Sequence, residues 1–316
     1  MAAYCCAYLL TNAGFQIDLQ PVSRPRLPVI LLGEHALALM RDIFDRPGLF
    51  ADSPRIGKRI VAWGRGATPI VLEHSAVVVS EESLLDAIRP PLNRAGDLET
   101  QWTILAARPL PSPTVEHRFG TRRASAAPVT MKHGSDPNAC WIESLEDGWL
   151  FLLAGWLLAV GATADVLLGR SRVIAPEIAK VGGPSGEFPA YARIASPLCA
   201  PHWLACGTAA MAFDPICGDG TAHAIREAIL ASAVIRALAN GESTEHLLAH
   251  YEARLTVGFR RHLTECRQFY LSGGTGPLWI SELEAIDRGI QWCGAALADH
   301  VSFRYRLRGL ELEAVR

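Results

Sequence analysis

At 316 residues, half of them apolar and a fifth charged, the chain is long enough for two domains, or for one α/β domain with a second layer inserted. A formal net charge of -2 offers no concentrated basic face, so a nucleic-acid partner is not expected. The eight cysteines contain no C-x-x-C spacing, which argues against a zinc site or a disulfide framework and for a reducing cytoplasm.

The chain opens on Ala2–Asn12, rich in helix formers and without the basic residues of a signal peptide. Gly14 then stands where a helix C-terminus takes a left-handed residue. Residues 15–20 alternate apolar and polar, the period of a strand ending at Gln20. Pro21, Pro25 and Pro28 forbid regular structure after it, and 37–44 reads as a short helix preceded by Gly33 and Glu34. Three β-branched runs, 60–63, 70–73 and 76–79, suggest strands of a mixed sheet, with a helix over 81–88. Pro109, Pro111 and Pro113 mark a linker before a second β-rich stretch over 115–160, and 162–168 reads as a short helix.

The apolar run 149–164 is shorter than the roughly 20 residues a spanning helix needs. Ala154 and Gly155 near its centre predict a tight hairpin instead. No membrane span is expected.

The most informative stretch is 207–220. A buried strand over 203–206 leads into a small-residue loop, and a long helix over 221–240 closes on Gly241. Asp219 or Thr221 can cap the first turn. The free amides and positive dipole end of that helix suit a negative charge or a carbonyl. Gly218 and Gly220 let backbone approach a flat ligand, and Pro215 fixes the direction of the loop. Cys217 lies in this loop, as a small apolar filler or as a redox-active thiol. From Thr221 the chain reads mainly helical to Trp292.

The stretch resembles the second FAD fingerprint of flavoprotein monooxygenases, G-D-A-A-x-x-x-D-P-x-x-G-x-G. It is most similar to the versions in flavin-dependent halogenases and in flavoproteins that modify peptides during quinone-cofactor maturation. The resemblance implies that Gly207, Thr208, Asp214, Pro215, Gly218 and Gly220 contact the flavin. The family's aspartate after the first glycine is Thr208 here, a weaker partner for the ribityl chain. Weaker likenesses extend over roughly residues 1–245. Ala2–Asn12 and the strand after it resemble the first helix and second strand of a Rossmann unit. Gln20 then stands where an acidic residue meets the adenosine ribose, and Arg24 or Arg41 is placed to meet the pyrophosphate. Gly33 and Glu34 resemble a G-E motif, and the segment from Gly148 to Phe151 is similar to the halogenases' tryptophan motif.

In that family a strand and a G-x-G-x-x-G loop precede the first helix. Here the helix begins at Ala2, so the expectation is a start codon upstream; the alternative is a degenerate protein that no longer holds FAD tightly.

In such flavoproteins the cofactor performs the chemistry, and no nucleophile–base pair is required. None is found, so the catalytic residues are unknown. His74, His117, His133, His202 and His223 read as isolated surface or packing residues. The three lysines, Lys58, Lys132 and Lys180, match no halogenase context, so hydroxylation or another oxidation is expected. Trp141, Trp149 and Trp156 read as core packing ahead of a substrate pocket.

The resulting expectation is an α/β fold in which a Rossmann-type FAD-binding sheet (1–44, 75–114 and 196–245) is interleaved with a mixed β-sheet substrate domain (45–74 and 115–195). A helical C-terminal region (246–316) closes the chain. The expected function is flavin-dependent oxidation, a monooxygenation of a small molecule or peptide, with FAD and an external donor, NAD(P)H or reduced flavin. The alternative is a cofactor-poor binding or maturation partner that keeps the fold without turnover.

Overall fold

The computed structural model describes residues 1–20, 22, 26–90, 101–183, 185–298 and 303–315. The helices are α1 (Ala2–Asn12), α2 (Glu34–Ile43), α3 (Glu81–Ala87), α4 (Ala164–Leu168), α5 (Gly207–Ala210), α6 (Gly220–Ala239), α7 (Thr244–Gly273) and α8 (Pro277–Ala298). The first strands are β1 (Ile30–Gly33), β2 (Arg55–Ala62), β3 (Ile70–Val79), β4 (Thr103–Leu105), β5 (Val115–Phe119), β6 (Arg123–Met131), β7 (Ala139–Leu145), β8 (Gly148–Leu153) and β9 (Trp156–Gly161). They continue as β10 (Ile178–Val181), β11 (Gly186–Pro189), β12 (Ala192–Ser196), β13 (Cys199–Ala200), β14 (Trp203–Ala205), β15 (Met211–Ala212), β16 (Tyr305–Arg308) and β17 (Glu311–Ala314).

A nine-stranded mixed sheet runs in the order β1-β3-β2-β7-β8-β9-β6-β10, with β11 also on β6. The apolar run at its centre forms the expected hairpin. Ala154 and Gly155 both take positive φ, 45° and 80°, and Leu153 pairs with Trp156 across the turn. Alternate residues of β8 point to opposite faces, and both faces are covered. Leu150 and Leu152 pack with Trp141 and with Leu167 of α4, whereas Trp149 joins the main core with Tyr270 of α7 and Trp279 of α8. Burial on both faces explains why this strand is apolar throughout. It also makes Trp141 and Trp149 core residues, and the C-terminal helices a layer over the sheet. Among the described residues no helix is long and apolar enough to cross a membrane.

Beside this body, α1 lies against α6, with Cys6 Sγ 3.7 Å from the Ala228 carbonyl. Both helices end as glycine-closed turns. Phe15 N–H donates to Leu10 and Gly14 N–H to Thr11, with Gly14 at φ 87°; Glu242 N–H and Gly241 N–H do the same to Ala237 and Leu238, with Gly241 at φ 85°. Strand β4 pairs in parallel with β14, and β13 lies antiparallel on the other side of β14.

Three sequence expectations change. Residues 15–20 keep their alternating exposure, yet pair with no described strand, because alternation sets which side chains face inward and a ladder needs a neighbour. The runs 70–73 and 76–79 are one strand, β3, continuous across residues 74 and 75. The C-terminal region is not helical throughout: beyond α8 the described residues form the β16–β17 hairpin, turned at Gly309 with φ 59°. Arg24, Pro21 and Pro25 lie outside the described residues.

Candidate functional site

Strand β14 delivers the chain into the short turn α5. Gly207 takes φ 58°, and a Cβ there would come within 2.9 Å of the Ala2 side chain, so glycine is what allows α1 to start against this turn. Its amide donates to Glu227 Oε2 at 2.6 Å. Thr208 is exposed, and its hydroxyl lies 3.4 Å from the Ala106 carbonyl. After β15, Asp214 caps a single turn, Pro215–Cys217, by accepting the Ile216 amide at 2.8 Å. Gly218 then turns the chain at φ 68° and α6 begins. Gly218 and Gly220 are exposed, with nothing within 4 Å of where a Cβ would stand.

Asp219 occupies the N-cap position of α6 but caps nothing. Its Oδ2 lies 3.0 Å from Nε2 of His223, one turn along the helix. Against the cost of burial, His223 holds the Asp219 carboxyl below its usual range. The diversion of this carboxylate leaves the first amides of α6 without a side-chain cap, beside the two exposed glycines.

The loop is held from behind by a buried ion network. Arg122, in the turn between β5 and β6, donates from Nε to Asp214 Oδ2 at 2.8 Å and pairs with Glu282 of α8. Its guanidinium lies 4.6 Å from the Tyr270 ring centroid. Glu282 also accepts the amides of Thr121 at 2.8 Å and Arg122 at 3.0 Å. Burial works against the Arg122 charge, but Asp214, Tyr270 and Glu282 outweigh it and raise its pKa above the ordinary arginine value. Three segments far apart in sequence thereby meet at one cation.

A second layer of side chains supports the same loop. His262 of α7 accepts the Asp214 amide on Nε2 at 2.9 Å. Burial, and after it His223, push the His262 pKa down to about 3, so the ring is neutral. Cys266 Sγ is 3.2 Å from the same nitrogen and 3.5 Å from Cys217 Sγ. Phe213 stacks on His223 at 4.1 Å and meets His262 edge-on at 4.7 Å.

Of the residues singled out in the sequence, Gly207, Thr208, Asp214, Pro215, Gly218 and Gly220 share this one loop-and-turn region. Their surfaces differ. Asp214 is buried with its carboxylate bonded inside the protein, whereas Thr208, Gly218 and Gly220 face outward. Gln20 is exposed and donates to Asp18 at 3.1 Å. Arg41, in the last turn of α2, bonds the Leu49 carbonyl at 3.3 and 3.1 Å and lies 3.7 Å from Glu34. The bonds recorded for these two go to other partners than the loop. His223, read as isolated, is part of the site. Arg122, Glu282, His262 and Cys266 were not singled out. The only sequence signal among them was the i,i+4 spacing His262–Cys266, which places that pair on one helix face, and Arg122 and Glu282 had none.

The donors present fit a flat ring bearing carbonyl groups. Exposed glycines leave room for a close approach, uncapped helix amides supply hydrogen-bond donors, and no described atom stands within 4 Å of where a Cβ would lie at Gly218 or Gly220.

No protein-family model matches the chain, and no curated protein matches it in sequence. Solved structures do match in fold. Peptidyl tryptophan dihydroxylase QhpG, essential for tryptophylquinone cofactor biogenesis, aligns over 100% of this chain and 84% of its own, with TM-score 0.68 at 17% identity. The flavin-dependent halogenase CmlS aligns over 92% and 68%, with TM-score 0.70 at 14% identity. The p-nitrophenol 4-monooxygenase PnpA from Pseudomonas putida DLL-E4 aligns over 94% of both chains, with TM-score 0.58 at 13% identity. At these identities the likeness is one of fold, and the fold is that of flavin-dependent halogenases and monooxygenases.

Proposed function

We propose that this chain is a flavin-dependent oxidoreductase of the monooxygenase type, binding FAD and oxidising a small organic or peptide substrate with electrons from NAD(P)H or reduced flavin. The observation that carries the reading is the 214–220 loop: exposed glycines at an uncapped helix start, braced from behind by Arg122, in a fold shared with flavin enzymes. FAD, when bound, supplies the redox chemistry with oxygen. The chain's own residues bind and orient. Gly218 and Gly220 admit the ring, and the first amides of α6 offer donors to its carbonyl edge. Gly207 lies beside the start of α1, a suitable place for the phosphates, and the exposed Thr208 is offered to the ribityl chain. Tyr270 and Trp279 seal the layer behind the loop and exclude water.

Packing of α1 and α2 on α6, and of β4 on α1 and β14, supports a FAD-binding unit drawn from 1–44, 75–114 and 196–245, with most strands of the large sheet on the substrate side, 45–74 and 115–195, and β1 and the end of β3 shared with the first unit. The lysines favour oxygenation over halogenation. Lys58 is spent on an exposed ion pair with Asp136, and Lys132 and Lys180 are exposed on or next to strands of the large sheet. Eight unpaired cysteines fit a cytoplasmic setting.

The test is reconstitution of the purified chain with FAD, followed by flavin absorbance, fluorescence quenching and donor-dependent oxygen uptake. Absence of FAD binding rejects the reading. A second reading, a cofactor-poor non-catalytic partner with this fold, is favoured by the engagement of Gln20 with Asp18 and of Thr208 with Ala106. A folded chain that neither holds FAD nor takes up oxygen with donor and reduced flavin selects it.

A further inference from the structure

We propose that Cys217 and Cys266 form a peroxide-sensitive dithiol whose oxidation clamps the 214–220 loop onto helix α7. Their sulfurs are 3.5 Å apart, and a disulfide needs about 2.05 Å, a closure of about 1.5 Å. Cys217 is the residue placed to move. It ends a three-residue turn, is followed by the left-handed Gly218, and stands three residues before the exposed Gly220. Cys266 is fixed on a 30-residue helix with its thiol against His262. Access is selective as well: of the eight cysteines only Cys217 is not buried. The other seven thiols are shielded, so an oxidant from solvent meets Cys217 first.

The chemistry closes without further partners. A hydroperoxide oxidises the Cys217 thiol to a sulfenic acid and leaves as an alcohol, or as water from hydrogen peroxide. The Cys266 sulfur then attacks the sulfenic sulfur, an S–S bond forms, and the hydroxyl departs with the Cys266 proton as a second water. Two electrons pass from the two sulfurs to the peroxide. A small dithiol reverses the reaction by exchange. Burial raises the Cys266 pKa well above the ordinary thiol value and keeps it a protonated thiol, which leaves the first reaction with peroxide to the accessible Cys217.

The same side chains also have the donor types of a transition-metal site, and the ligand atoms of Cys217, His262 and Cys266 lie within 4.8 Å of one another. Occupancy of Nε2 by the Asp214 amide counts against that use, since a neutral imidazole has one lone pair. The dithiol is the assignment that leaves this hydrogen bond in place.

The consequence for cofactor binding rests on the flavin reading; the disulfide does not. The full chain, purified reduced, is treated with hydrogen peroxide and compared with its dithiothreitol-restored form. The expected result is loss of two of eight thiols, a mapped Cys217–Cys266 peptide, and slower amide exchange across 214–220 in the oxidised form. Cys217→Ser retains all its thiols under the same dose. In protein that binds FAD, oxidation is expected to change affinity roughly tenfold, about 1.4 kcal/mol. A disulfide between other cysteines, over-oxidation of Cys217 without a partner, retention of stoichiometric zinc by the reduced protein, or unchanged exchange in the cross-linked loop overturns the proposal. Failure to bind FAD in either form, with the cross-link and the exchange change intact, rejects the flavin reading alone.

Discussion

Arg122 Nε donates to Asp214 Oδ2 at 2.8 Å, with both side chains withdrawn from solvent. The aspartate of the loop motif is thus a post inside the protein, and the outward surface it supports is made of exposed glycine and backbone. Removing one member of a buried ion network leaves the others uncompensated, at a cost of about 3–5 kcal/mol. Arg122→Ala is expected to lower the unfolding free energy by that amount, read as a fall in the urea midpoint, with Glu282→Gln losing less because its amide oxygen still accepts from Thr121 or Arg122. A wild-type midpoint for Arg122→Ala would show that the network does not hold the loop.

Gly218 tests the loop surface separately from its support. Its φ of 68° costs an alanine about 1–2 kcal/mol, and its side-chain direction is empty. Gly218→Ala is therefore expected to lower stability only by that amount while weakening FAD binding more than tenfold, because the new methyl occupies the approach of the ring. Calorimetric titration beside a melting curve separates the two effects.

Stability should peak in mildly acidic solution. Burial pushes Glu227 up to about 8, the Gly207 amide opposing, so the folded state keeps a proton that the unfolded state releases above pH 4.5. Its contribution is full below 4.5 and is lost as pH rises towards 8. His262 and His250 are pushed down by burial, to about 3 and about 4. The unfolded state gains protons there below pH 6.5, and stability falls as pH drops from 6.5 into that range. Glu227→Gln keeps an acceptor for the Gly207 amide and should remove the alkaline loss. Denaturant midpoints across pH 4–9 check this; an unchanged alkaline slope in the variant contradicts it.

Thr208→Asp restores the acidic residue of the fingerprint at an exposed position. Charge-assisted hydrogen bonds are about twice as strong as neutral ones, so FAD affinity is expected to rise roughly tenfold. Fluorescence quenching on titration reads it directly, and an equal or weaker affinity places the ribityl chain elsewhere.

Local chemistry was legible where one short segment carried the whole instruction. Ala154 and Gly155 announced the central hairpin, Gly14 and Gly241 the ends of α1 and α6, and the 207–220 stretch the strand, turn and helix of the site. The strand expected over 15–20 failed because a ladder depends on a partner that no local pattern specifies. The closing hairpin after Ala298 was hidden because 305–314 is short and charged.

By itself, then, the sequence determined most of the helices and turns and that 214–220 is a glycine-bearing turn at a helix start, since φ preference, capping and side-chain period act over a few residues. Only tertiary structure decided what stands behind that loop. Arg122, His262, Cys266 and Glu282 come from 48 to 92 positions away from Asp214 or its neighbour Cys217, or, for Glu282, from 160 positions away from Arg122. A charge or thiol of that kind carries no local signature. Its role is set by what the fold buries beside it, because desolvation and pairing, rather than residue type, fix the state of an ionisable group.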